Sequence, residues 1–261
     1  MNWFARWRRA RILKHHALPQ EKFAAAVARL PILRGLSLVE HAHLRDLAVL
    51  FLHEKTFSAA GEACVDDTTQ LSIALQACLL ILHLDEASYR GWNEIILYPE
   101  EFLRQREEID DAGVVHHSRD ILAGESWHGG PLVLSVADVT ASGQADGVNV
   151  VLHEFAHKLD MLNGDANGFP PLHRGMDAAA WARDFSAAYE NLCARIDAAE
   201  DTAIDPYAAT DPAEFFAVLS EVFFETPTLL QDEYPAVYQQ MRLFYRQDPL
   251  ARLVNQMKVT A

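Results

Sequence analysis

Cysteine is scarce in this 261-residue chain, with Cys64, Cys78 and Cys193 making up the whole supply. An odd count, at spacings that fit neither a CxxC site nor a disulfide framework, points to reduced and mostly buried thiols. That usage suits a cytoplasmic protein. Long apolar runs are missing as well. No stretch approaches the roughly 20 apolar residues needed to span a bilayer. No apolar segment follows the arginines near the N-terminus, so that end does not read as a secretory signal. Basic charge is in short supply: 22 Lys and Arg face 37 Asp and Glu, a formal net charge of −15. Such a surface repels phosphate backbones, which argues against general nucleic-acid binding and favours solubility. Internal repeats and low-complexity linkers are also lacking, so neither a repeat array nor a string of tethered modules is expected.

What is present is globular chemistry, 50% hydrophobic and 23% charged. That is enough apolar material to bury a core and enclose a dry site. Trp3, Phe4 and Trp7 are interleaved with Arg6, Arg8, Arg9, Arg11 and Lys14. Residues 1–17 are expected to form a loosely ordered basic tail; the alternative is an amphipathic segment resting on a membrane or a partner. Residues 18–261 read as a single unit, with a helical part over about 18–90 and a catalytic part over about 91–261.

Within that unit, helix formers and apolar spacing predict helices over Gln20–Leu30, Leu36–Leu52 and Thr68–Leu84. Asp66 or Asp67 is placed to cap the third. Glu94–Tyr98 and Pro131–Val136 read as strands, with turns around Gly124, Gly129, Gly130 and Thr140–Gly147. Gly147–Leu162 reads as a helix stopped by Asn163-Gly164. Further helices are expected over Ala178–Ala198, Asp211–Phe224 and Tyr234–Phe244. The fold class is therefore α+β, mostly helical with a small central sheet.

The chemistry concentrates at His153-Glu154-Phe155-Ala156-His157. Residues four apart on a helix share a face, so both imidazoles can reach one ion. Glu154 lies about 100° further round, where it can act on water without ligating the metal. The pattern also arises by accident, so its weight rests on falling inside a helix after a strand and a turn. A catalytic zinc takes three protein ligands and keeps one position open. Asp160, one turn after His157, reads as a residue supporting a ligand. Glu214 and Glu221 are carboxylates in a strongly apolar helix, costly to bury without a cation or partners. They face the same way about 10.5 Å apart along the axis, so one ion cannot readily take both. Glu214 has a competing explanation, because Asp211-Pro212 with Glu214 at the third helical position resembles a capping box. Spacing leaves the third ligand open between these two glutamates.

The stretches His153–Asp160 with Asn163-Gly164-Asp165, and Ile204-Asp-Pro-Tyr207 through Glu214 to Glu221, resemble the Mlc titration factor A family. Ile96-Leu97-Tyr98-Pro99, Ser126-Trp127 and Gly130-Pro131 fit the same pattern, and the likeness runs from about Leu18 to Gln256. The resemblance implies a bacterial zinc metallopeptidase, zincin-like in outline, with a catalytic core similar to that of the anthrax lethal factor, hydrolysing peptide bonds in an aminopeptidase-like mode. It places metal ligands at His153, His157 and Glu214, the general base at Glu154, and an oxyanion-facing phenol at Tyr207; without it, Tyr207 reads as a half-buried loop tyrosine. It also implies one zinc ion and a partner of the glucose-repressor type. Two rivals stand beside this reading: a binding protein whose zinc is structural or vestigial and which sequesters a regulator, and a membrane-surface protease steered by its N-terminal arginines.

Overall fold

A computed structural model describes residues 3–99, 102–109, 115–122, 124–126 and 130–260. Trp127 and Gly129 fall outside the described residues. The chain opens with α1 (Trp3–His15), α2 (Gln20–Ala28) and α3 (Leu38–Glu54), then β1 (Thr56–Ala59) and α4 (Asp67–Leu80). Next come β2 (Glu94–Tyr98), β3 (Phe102–Ile109), β4 (Val115–Leu122), β5 (Gly124–Ser126) and β6 (Leu132–Ser135). The rest is helical: α5 (Val136–Ala141), α6 (Val150–Asp160), α7 (Ala178–Asp197), α8 (Pro212–Glu225), α9 (Pro227–Glu233), α10 (Pro235–Tyr245) and α11 (Pro249–Thr260). The protein is thus a mostly helical α+β fold.

Local chemistry sets most of the helix boundaries. Ser37 and Glu40 form a reciprocal capping box that starts α3. Asp66 caps α4 by accepting the Thr69 amide at 2.8 Å. The expected helix over Gly147–Leu162 is shorter than its apolar pattern, because Asn149 accepts the Leu152 amide at 2.9 Å and fixes the start. Four consecutive helices, α8 to α11, begin with proline, whose missing N–H costs nothing in a first turn. Three of them follow one another so closely that the prolines read as breaks in sequence.

Residues 3–15 depart from the expected loose tail. They form α1, which packs along α3 through half-buried Ile12 and Leu13. Arg9 pins it, pairing with Asp46 at 3.6 Å and Glu86 at 3.3 Å.

The main sheet runs β1-β2-β6-β5. The first three strands are parallel, with Ile95 opposite Leu132, and β5 closes the edge antiparallel to β6. β3 and β4 form a separate antiparallel ladder from Phe102↔Leu122 to Ile109↔Val115. The core is continuous from Phe23 to Tyr245. At its centre lies α6, against α4, α8, β5 and β6. Val151, Leu152, Phe155 and Ala156 of α6 are completely buried. The Phe155 ring meets Tyr89 and Phe51 at 5.0 and 5.6 Å, which anchors the helix at the residue after Glu154.

Candidate metal centre

Two helices build the site. α6 presents His153, Glu154 and His157, and α8 crosses beside it with Glu214 and Glu221. The His153 and His157 Nε2 atoms lie 3.2 Å apart. Glu214 Oε2 lies 3.0 Å from the first and 3.5 Å from the second. Atoms bound to zinc at about 2.0–2.1 Å with tetrahedral angles sit about 3.3–3.4 Å from one another. The observed edges lie within about 0.4 Å of that spacing, so these three residues could hold one metal ion between them. The chemistry of the donors agrees. One shared proton satisfies the two imidazole nitrogens but leaves Glu214 Oε2, an acceptor, facing them, whereas a cation among the three satisfies all of them.

Charge points the same way. Three carboxylates, Glu154, Glu214 and Glu221, surround His153. Burial opposes a charge on His153, but hydrogen bonds to Glu214 and Glu221 outweigh it and raise its pKa well above the usual value. Burial would likewise raise Glu214, yet the two imidazoles hold its carboxyl far below the ordinary range. A field that favours a proton so strongly favours a divalent cation in the same place.

Glu214 is not spent on capping. Asp211 alone accepts the Ala213 and Glu214 amides, at 2.7 and 2.9 Å, while the Glu214 carboxylate turns to the histidines. Glu221, two turns on, reaches the other side of the same ring and accepts from His153 Nδ1 at 2.8 Å. Its second oxygen takes the Asn149 backbone N–H. With a metal bound, this contact would keep the proton on Nδ1 and leave Nε2 to the ion. Glu154 is buried at 4% exposure beside the triangle. Tyr207 lies on a short 3-10 turn, Pro206–Ala209, with its ring 6.1 Å from that of His153. Burial, then the Glu214 and Glu154 carboxylates, push its phenol above the usual value, so it stays protonated.

Asp160 does something other than hold His157. Its Oδ2 accepts the Asn167 and Gly168 amides, each at 2.7 Å, and His157 Nδ1 has no hydrogen-bond partner among the described residues. Gly168 has φ +75°, and a Cβ there would come within 2.3 Å of Pro212 O. Trp181 Nε1 donates to Gly168 O at 3.2 Å. Asp160 thereby ties the end of α6 to the Gly168 turn, which lies against Pro212 at the start of α8.

Sequence reasoning missed a buried polar hub behind the site. Asn149 Nδ2 donates to Gln76 Oε1 at 2.8 Å and to Glu225 Oε1 at 2.6 Å. Burial pushes Glu225 up to about 7, although Asn149 and the Ala145 and Asp146 amides bond its charged form. A buried Gln or Glu inside an apolar helix was the available signal. Lys158 was missed too. It donates to Gly130 O at 3.0 Å and stands over the Trp92 ring at 4.9 Å, while Lys55 stands over the same ring at 3.8 Å. The two ammonium groups and that indole fasten α6 to the segment before β2.

A helical α+β fold with a histidine–histidine–glutamate triangle and a buried glutamate beside it defines a metal-site class, and the comparisons with known proteins fall within it. The family model for the glucose-regulated metallo-peptidase M90 matches residues 4–246, and the chain belongs to this family. Its relatives carry the name Mlc titration factor A. That of Salmonella gallinarum is 42% identical over 252 residues, 95% of this chain and 92% of the relative. That of Salmonella arizonae is 44% identical over 229 residues, covering 86% and 90%. That of Escherichia fergusonii is 42% identical over 228 residues, covering 87% and 86%.

Proposed function

We propose that the chain is a zinc-dependent peptidase whose metal is held by His153, His157 and Glu214. The observation that carries this reading is the triangle of donor atoms with edges of 3.0, 3.2 and 3.5 Å, next to the buried Glu154. Two nitrogens and one carboxylate oxygen form the donor set of catalytic zinc, which keeps a position open, rather than of a closed structural site. When bound, zinc supplies Lewis acidity and lowers the pKa of water towards 7. Glu154 takes a proton from the attacking water on its carboxylate and hands it to the leaving amine. Tyr207 donates its phenolic proton as a hydrogen bond to the carbonyl oxygen as charge develops there. Glu221 keeps the Nδ1 proton of His153 in place throughout.

The finer reading is peptide-bond hydrolysis with an aminopeptidase-like mode, carried out in the cytoplasm, where Cys64, Cys78 and Cys193 stay free as they are here. The test is a Glu154→Gln variant. Metal content by elemental analysis stays at the wild-type level, while hydrolysis of chromogenic amino-acid derivatives and peptides falls about 100- to 10,000-fold. Turnover near the wild-type rate removes Glu154 from this role.

The name of the relatives favours a second activity, the binding of a transcriptional repressor of the Mlc type. Capture of the repressor by Glu154→Gln at wild-type affinity supports binding independent of catalysis; loss of capture ties the two together.

A further inference from the structure

The outward face of α1 has no partner among the described residues. Trp3, Phe4 and Trp7 are 70, 71 and 54% exposed. At about 100° per residue, they share an arc of roughly 140° with Arg8, Arg11 and Lys14, opposite the side that carries Arg9, Ile12 and Leu13. All six outward residues are exposed, and the inner three are partly covered. The aromatics form one patch: Trp3 meets Phe4 edge-on at 4.9 Å, and the Arg11 guanidinium stands 5.5 Å over Trp7. Folding has not hidden three large rings that could have been turned inward, so their exposure calls for an occupant.

Charge identifies the kind of occupant. α1 carries five of the 22 basic residues and none of the 37 acidic ones, so without it the −15 chain would stand at −20. One basic face on an acidic body is attracted to an anionic surface only through that face. A groove that takes a helix wants an apolar stripe continued over several turns. Here the stripe ends after Trp7, and Arg11 and Lys14 occupy the following turns of the same face. Aromatic rings at one end of a helix and cations along the rest match the boundary of a bilayer, where indoles sit among headgroups and Arg and Lys reach phosphates.

The geometry points to α1 as a docking helix for anionic phospholipid membranes, with Trp3, Phe4 and Trp7 entering the headgroup region and Arg8, Arg11 and Lys14 on the phosphates. The association is peripheral and reversible, and it is independent of the metal centre.

The test sediments the full chain with vesicles of phosphatidylcholine alone and of phosphatidylcholine mixed with phosphatidylglycerol. Each cation near such a surface strengthens binding about fivefold. Two or three of them give about 30-fold or more tighter binding to the anionic vesicles, weakening as salt is raised. The double variant Trp3→Ser/Trp7→Ser binds at least about tenfold more weakly, with its helical circular dichroism unchanged. Lipids brominated near the headgroup quench wild-type tryptophan fluorescence and quench the double variant less. Absence of binding to anionic vesicles overturns the proposal, as does a double variant that binds as the wild type does. Self-association of the wild type without lipid, abolished in the double variant, also overturns it by assigning the face to a second copy of the chain.

Discussion

Replacing Glu221 by glutamine asks whether this carboxylate serves His153 or nothing. Glu221 Oε1 accepts from His153 Nδ1 at 2.8 Å, and Oε2 accepts the Asn149 N–H. Both partners are donors. A glutamine offers one acceptor oxygen and one NH2, so whichever way the amide turns it sets a donor against a donor. The variant thus loses one hydrogen bond to a charged group, worth about 1.5–3 kcal/mol in a buried site. Glu221 is 6% exposed, so water cannot replace the lost bond cheaply. If that loss falls on the orientation of His153, zinc affinity drops about 10- to 100-fold, the range expected when a residue behind a metal ligand is removed. The assay is competition for zinc against a chelator of known affinity, with thermal unfolding recorded in parallel to confirm the fold. At saturating zinc, hydrolysis recovers to within severalfold of wild type, because Glu221 lies at the Nδ1 edge of His153, away from the donor triangle. A folded variant that holds zinc as tightly as wild type refutes the argument that Glu221 orients His153.

Gly168→Ala forces a side chain to within 2.3 Å of Pro212 O at φ +75°, so stability falls by about 2 kcal/mol or more and Tm by about 4–8 °C. An unchanged Tm would mean that α6 and α8 are not set by this contact. Glu225 has its pKa raised to about 7 from an unfolded value near 4.5, mainly by burial, so its contribution to stability is complete below pH 4.5 and is lost as pH rises through 7. Wild type is therefore expected to lose about 2.5 kcal/mol relative to Glu225→Gln between pH 5 and pH 8, read from urea midpoints; parallel curves for the two proteins would show that Glu225 is not the group responsible. Glu214→Ala removes one corner of the triangle and leaves two imidazoles, so stoichiometric zinc is lost on gel filtration; retained zinc would move the third ligand elsewhere.

Much of the architecture was legible because each element carried its own signal. Asp66 and Asp211 each precede an apolar run, and each caps a helix. Asn163-Gly164 ends the run that holds the histidines, and Gly164 takes φ 146° there. Other elements lacked such signals. β1 is four residues long with both ends exposed, so no alternation marks it, and it exists because it pairs with β2. β3 is written Phe-Leu-Arg-Gln-Arg-Glu-Glu-Ile, with charge where a sheet face would be apolar. Arg-rich α1 was illegible as a docked helix, because its anchors Asp46 and Glu86 lie far along the chain. At the site, the HExxH pattern announced itself, whereas the roles of Asp160, Gln76 and Glu225 depend on contacts that sequence order does not reveal.

The pair Glu214 and Glu221 explains why spacing could not separate ligand from support. Two carboxylates seven residues apart lie about 10.5 Å apart on one helix face. One ion cannot be reached by both, but one imidazole can, because its two nitrogens open on opposite edges. α8 runs past His153 so that Glu214 meets Nε2 at 3.0 Å and Glu221 meets Nδ1 at 2.8 Å. The heptad spacing on α8 therefore places one carboxylate at each nitrogen of the His153 ring. It follows that moving either glutamate by one residue along α8 turns it about 100° off this face, and either shift leaves a buried charge unpaired. The apolar wall around them, Phe215, Phe216, Leu219 and Val222, is what makes such a mismatch costly, and so holds the clamp in register.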